Sequence, residues 1–120
     1  MEDIYKFELD DEAFEKIVAG KKTAHLVIND NKCKNYSVGN LITFVKKQDG
    51  EGPVLEVKAS IENLLYFGNV LEAVETLGKE ACGFKPSATF EKTSDLFLSN
   101  ESYEALEKYG IVALVFKVIE

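Results

Sequence analysis

The sequence predicts one α+β domain, in which four or five strands form a mostly antiparallel, curled sheet and helices cover its ends. Three observations lead there. Short apolar runs of strand period recur along the chain, bounded by Gly, Asn or Asp. Between them lie segments with helical spacing and recognisable caps. Finally, 120 residues with 46% apolar composition suit a single hydrophobic core.

Residues 4–9 alternate and predict a short strand. Asp10 is a candidate N-cap, and Asp11 and Glu12 favour the positive end of the helix dipole that follows. Ala13, Phe14, Ile17 and Val18 keep helical spacing, and Gly20 offers a left-handed stop, so the first helix is expected over 11–19. Residues 22–28 read as a strand, with Ala24, Leu26 and Ile28 on one face and Thr23, His25 and Val27 on the other. Asn29-Asp30-Asn31 is turn chemistry. A strand at 41–46, a hairpin loop at 48–52 and an answering strand at 54–61 come next. Asn69 caps a helix carrying Val70, Leu71, Val74 and Leu77, which Gly78 stops. Residues 79–87 read as a loop, and 88–98 as a helix. A short helix at 102–108 ends at Gly110. Residues 111–119, dense in Val, Ile, Leu and Phe, predict a central or barrel-closing strand.

Composition narrows the function. The net charge is −7 and every one of the 14 basic residues is lysine. Arginine's planar fork is the usual tool for bidentate phosphate and guanine contacts. An acidic chain without it is a poor match for long DNA or RNA, but a few lysines can hold a single nucleotide. No run approaches the roughly 18 apolar residues of a membrane span. The acidic start Met1-Glu2-Asp3-Ile4 lacks a signal peptide's pattern, so a cytoplasmic protein with no membrane partner is expected. One histidine and two separated cysteines, Cys33 and Cys82, argue against a zinc site, and neither a metal nor a cofactor is expected. The two thiols are expected free, and buried rather than reactive.

The P-loop, the Rossmann glycine triplet, the Gly-x-Ser-x-Gly elbow and His-Glu-x-x-His are all missing. Attention falls on Gly20-Lys21-Lys22-Thr23, where a helix stops and a strand begins. A lysine at such a rim can meet an anion, or act as a base if burial lowers its pKa. Thr23 adds a hydroxyl.

The run Phe14-x-x-Ile17-x-x-Gly20-Lys21-Lys22-Thr23 resembles the N-terminal signature of ASCH domains, which are PUA-like β-barrels. Three further stretches keep the family's order. Tyr36-Ser37-Val38-Gly39-Asn40-Leu41-Ile42-Thr43-Phe44 is similar to its VGD-x-I-x-F strand. Asn69-Val70-Leu71-Glu72 matches the helix after the third barrel strand. Lys108-Tyr109-Gly110-Ile111-Val112-Ala113-Leu114 resembles its closing strand. The resemblance implies a barrel with a cleft beside Lys21, Lys22 and Thr23 that takes RNA or a small nucleotide- or nucleoside-like ligand.

One branch of the family removes the acetyl group from acetylcytidine with a lysine, a threonine and a glutamate. By position the lysine matches Lys22. His25 stands where the threonine would be, and Glu80, with Glu75 next, is the candidate glutamate. Val27 replaces an arginine that many relatives carry. Three readings follow. The chain is a binding module for RNA or a nucleotide, an amidohydrolase with Lys22 as base, His25 as shuttle and Glu80 as acid-base partner, or a protein-interaction domain with a vestigial cleft.

Each residue also has a plainer role. Lys21 and Lys22 can be solvated cations with stems on apolar surface. Thr23 can satisfy backbone groups, and His25 can be a hydrogen-bonded barrel histidine. Glu80 can be a surface carboxylate. Tyr109 is either core or a ring for base stacking. The Lys46-Lys47 pair reads as solubilising, and Phe90 with Phe97 as core.

Overall fold

The computed structural model describes residues 5–46, 55–98 and 103–119. The hairpin loop expected at 48–52 lies outside these residues, as do Ile4 and Val54 at the starts of two expected strands. In chain order the elements are β1 (Lys6–Leu9), α1 (Asp11–Val18), β2 (Ala24–Ile28), a 3-10 turn (Asn31–Asn35), β3 (Leu41–Lys46), β4 (Glu56–Phe67), α2 (Val70–Leu77), α3 (Phe90–Leu98), α4 (Tyr103–Tyr109) and β5 (Ile111–Ile119). The strands form one sheet in the order β1-β3-β4-β5-β2.

Every pairing is antiparallel except β1 with β3. Phe7 sits opposite Phe44 in the parallel pair. β1 and β2 are the two edges, yet their side chains touch. The ring of Phe7 lies 4.6 Å from the imidazole of His25, centroid to centroid. Contact between opposite edges means that the sheet has curled into a half-barrel.

Both faces of this sheet are covered. The inner core gathers Ile42, Phe44, Ala59, Ile61, Val112, Leu114 and Phe116 from the strands. Ile17 of α1, with Cys33 and Tyr36 from the 3-10 turn and just after it, closes it. The outer core sets Leu26, Ile28, Ile111 and Ala113 against Val70, Ala73 and Val74 of α2, Phe97 and Leu106. Strand residues therefore alternate between two apolar layers, which is why β2 and β5 read as near-continuous hydrophobic runs. β5 is the clearest case: it lies between β4 and β2, and Ile111 to Leu114 are all at most 1% exposed.

β4 runs six residues beyond its expected end. The alternation is broken by a bulge between Ile61 and Asn63, where Glu62 has no opposite number on β5. The extra residue shifts the phase, so that Ile61 and Leu64 both turn toward the inner core. Read without a bulge, the exposed pair Glu62-Asn63 looks like the end of the strand.

The caps explain where two helices begin. Asp10 accepts the Ala13 N–H at 2.8 Å, and only Phe14 and Ile17 of α1 are buried. Asn69 accepts the Glu72 N–H at 2.9 Å, while the Glu72 carboxylate reaches back to the Gly68 N–H at 3.0 Å. The arrangement is a variant of the capping box, with the return bond made one residue before the N-cap. Among the described residues no helix is long and apolar enough to cross a membrane.

Candidate functional site

The segment after α1 is pinned on both sides. Gly20 takes φ +79°, a left-handed turn that glycine adopts without a Cβ clash. The N–H groups of Lys21 and Lys22 both donate to the Lys16 carbonyl, at 2.9 and 3.1 Å. Those of Thr23 and Ala24 both donate to the Ala81 carbonyl, at 3.0 and 2.9 Å. Residues 20–24 are thus held between the end of α1 and the turn that follows α2. That turn is itself closed by Gly83 N–H to Glu80 O, 2.9 Å, and Phe84 N–H to Lys79 O, 2.8 Å.

This clamp drives the Lys22 side chain inward, leaving the residue 7% exposed. Among the described residues its ammonium has one hydrogen bond, a long one of 3.4 Å to the Cys82 carbonyl. A Lys head carries three donors, so two lack a protein partner among the described residues. The stem lies against Gly83, whose φ is +93°. A Cβ there would stand 3.1 Å from both Cδ and Nζ of Lys22, so the glycine makes the room that the lysine fills.

Burial lowers the Lys22 ammonium from its ordinary pKa of 10.5 to about 8. Cys82 acts upward as a thiolate, the Lys16 ammonium acts downward, and Asp10 acts upward. The upward pull of Cys82 does not operate near neutral pH. Burial pushes the Cys82 thiol itself up to about 11, so near neutral pH it is uncharged and gives Lys22 no counter-charge.

His25 lies one strand residue past Ala24, on the inner face opposite Leu114. Its ring packs against Phe7 and against Phe44, the latter edge-on at 5.6 Å. Its Nδ1 is buried with no hydrogen-bond partner among the described residues. Burial, and then the positive charge of Lys22, hold the imidazole well below its usual pKa, so it is neutral at pH 7. Lys22 and His25 therefore share one electrostatic environment at the start of β2, and both keep unused polar capacity.

The other expected residues are distributed differently. Lys21 and Thr23 are exposed. The Thr23 backbone is committed, its carbonyl accepting the Phe116 N–H at 3.0 Å. Glu80 sits on the turn beside Lys22, but its side chain is exposed and it is not among the charges that act on Lys22. Glu75 is exposed on α2. Tyr109 ends α4, 38% exposed, with the Lys108 ammonium 5.2 Å from its ring centre. It precedes Ile111, which pairs with Ile28 at the far end of β2, ~13 Å along the strand from Ala24. Lys22 and His25 are linked through charge, whereas Tyr109 lies toward the other end of β2. Val27 packs on the inner core. Cys33 is buried and donates to the Ile28 carbonyl at 3.1 Å, and Cys82 is buried as well.

Sequence reasoning did not select Lys16, Gly83 or Phe7. Lys16 donates to the Gly83 carbonyl at 3.0 Å and pairs with Glu12 at 3.4 Å. Only the glycine in Ala81-Cys82-Gly83-Phe84 carried a local signal, as a turn residue; nothing local ties residue 83 to residue 22. Among the described residues no group of three His, Cys, Asp or Glu side chains is placed to hold a metal ion.

The fold and site together define a small α+β half-barrel domain with a buried lysine and a half-buried histidine, its Nδ1 enclosed, at one strand start. No family model matches the sequence, and no curated protein shows significant similarity to it. Two solved structures share the fold. The crystal structure of hypothetical protein PH0355 superposes with a TM-score of 0.76 at 24% identity, covering 95% of this chain and 97% of the other. The solution NMR structure of protein PF0455 from Pyrococcus furiosus gives 0.72 at 22% identity, with 97% of each chain covered.

Proposed function

We propose that this chain is an ASCH-type, PUA-like domain that binds RNA or a small nucleotide- or nucleoside-like ligand beside Lys22 and His25. One observation carries the reading: among the described residues a buried ammonium has a single long hydrogen bond and a buried imidazole nitrogen has none, and the two groups are close enough that the charge of the first acts on the second. Leaving buried polar groups unpaired costs stability, so such a pair is kept where something else completes it. A nucleobase suits it. Its carbonyl can accept from Lys22, its ring edge can bond the neutral imidazole, and its face can stack on an aromatic ring such as Phe7. The curled five-stranded sheet and the four ordered sequence motifs support the family assignment.

The second reading, deacylation of a nucleoside, draws support from Lys22 alone. A pKa of about 8 leaves a useful fraction of free amine near neutral pH. The exposed Glu80 and the histidine in place of threonine give it no further support, so binding is the stronger proposal.

The test is a titration of labelled protein with cytidine, acetylcytidine, cytidine monophosphate and a short single-stranded RNA. The chain has one histidine, so its imidazole resonances report on the site without ambiguity. The expected result is a ligand-dependent shift at His25 that Lys22→Met weakens about 10-fold or more. Silence at His25 with every ligand at millimolar concentration would refute binding. Acetate release from acetylcytidine that Lys22→Met abolishes would establish the second reading instead.

A further inference from the structure

The Cys82–Gly83 segment has a lysine ammonium on each of two successive carbonyls. Lys16 Nζ donates to Gly83 O at 3.0 Å, and Lys22 Nζ to Cys82 O at 3.4 Å. Successive Cα atoms are only ~3.8 Å apart. The two cations are close enough that the charge on Lys16 acts on Lys22. They come from opposite ends of the clamp, Lys16 from within α1 and Lys22 from beyond its end, and the bare Cα of Gly83 lets them approach the same backbone.

Gathering like charges beside a buried ammonium is unfavourable unless something offsets it. Among the described residues the protein's own groups do so only in part. Asp10 acts favourably on Lys22, but less strongly than Lys16 opposes it, and its Oδ1 accepts the Ala13 N–H. Glu12 is 60% exposed and meets Lys16 at 3.4 Å as an ordinary helix-surface pair, which solvent screens. Cys82 is a neutral thiol, and His25 is neutral. An anion with several acceptor oxygens would offset both ammonium charges at once.

We propose that Lys16 and Lys22, flanking Cys82 and Gly83, form a receptor for a phosphate monoester. The ammonium is a point charge that binds phosphate without needing arginine's planar fork. Two of them suit a dianion better than a single carboxylate. Lys22 supplies the desolvated contact, and Lys16, 21% exposed along its side chain, supplies the solvent-side contact. The inference rests on Lys22 facing a ligand and deepens the reading above, because it makes the preferred nucleoside a phosphorylated one, with its base toward His25.

Inorganic phosphate is the probe, with acetate at matched ionic strength as control, and the Lys22 side-chain resonances are followed as a function of pH. Phosphate, and not acetate, is expected to move the Lys22 titration upward from about 8. Lys16→Met should weaken phosphate about 10-fold, while Lys16→Arg keeps it and Glu12→Gln strengthens it. In the free protein Lys16→Met should also raise the Lys22 midpoint, because a like charge is gone. Lys16→Arg, which keeps the charge, should leave that midpoint in place, and the contrast between the two variants separates a charge effect from damage to the fold. Equal responses to phosphate and acetate, or unchanged phosphate affinity in Lys16→Met, overturn the proposal. Nucleosides binding as tightly as their monophosphates would also overturn it while leaving the nucleoside reading intact. Phosphate bound as described, with no gain from an attached nucleoside, would uphold the receptor and refute the nucleotide reading.

Discussion

Phe7 on one edge strand and His25 on the other lie 4.6 Å apart, ring centre to ring centre, so that the two ends of the sheet order meet through a side-chain contact. Backbone hydrogen bonds do not join these strands, and the rings take over the work of holding the half-barrel curled. Phe44 extends the cluster, 5.8 Å from Phe7 and 4.8 Å from Phe116. Phe7→Ala should cost about 2 kcal/mol, less than a full core deletion because Phe7 is half-buried. It should also wet the imidazole, raising the His25 midpoint toward its ordinary value. Denaturant unfolding and a histidine NMR titration read the two effects. A destabilised variant with an unmoved His25 midpoint would separate the ring contact from the histidine's environment.

His25 makes folding acid-sensitive. Its folded-state pKa is depressed, so below the ordinary value of 6.5 the unfolded chain binds a proton that the folded protein refuses. The stability it contributes is complete above about 6.5 and falls as the pH drops below that. His25→Leu should flatten this part of the stability curve between about pH 6.5 and 5, where few carboxylates titrate. Parallel curves for the two proteins would count against a buried neutral imidazole.

Lys22 acts in the alkaline range with the same slope. Its folded pKa of about 8 lies below the ordinary 10.5, so between those values the unfolded chain holds more protons and stability rises with pH. The penalty for burying the charged form is about 3 kcal/mol at pH 7 and is relieved as the amine deprotonates. Lys22→Met should therefore be more stable than the parent at pH 7, lose the alkaline rise, and bind ligand poorly. A variant that is less stable at pH 7 would mean that the long bond to Cys82 contributes more than burial costs.

Gly83 should tolerate no side chain. Its φ of +93° is strained for any other residue, and a Cβ would press on the Lys22 stem at 3.1 Å. Gly83→Ala is expected to lose about 1–2 kcal/mol of stability, and to weaken ligand binding by displacing Nζ. A binding loss larger than the stability loss accounts for, in the fraction that remains folded, marks Gly83 as a positioning residue. Unchanged affinity would leave it a turn residue only.

Much of the fold was legible in the sequence because its signals are local. Asp10 and Asn69 cap where hydroxyl-free helix starts need an acceptor, and the α1 and α2 boundaries follow within a residue. β5 was evident because its first half is buried on both faces and so lacks polar alternation. The second half of β4 was not, since a bulge at Glu62 breaks the period on which strand reading depends. The 3-10 turn at Asn31–Asn35 was seen only as turn chemistry, because short 3-10 pieces have no period of their own to detect. Lys22 and His25 were chosen from the sequence, and in the structure the charge of the first acts on the second. Glu80 was chosen by its position in a loop, and its exposed side chain shows that proximity of backbone does not fix where a carboxylate points.

By itself, then, the sequence determined which segments are helix and strand, that the sheet is mostly antiparallel, and that attention belongs at the start of β2. Periodicity, caps and glycines act over a few residues and can be read that way. Tertiary structure decided the rest: that β1 runs parallel to β3, that Phe7 closes on His25, and that Lys16, Lys22, Cys82 and Gly83 converge. Those relations join residues up to 67 positions apart. They arise from how the sheet curls and which groups lose water when it does, and no local pattern encodes that.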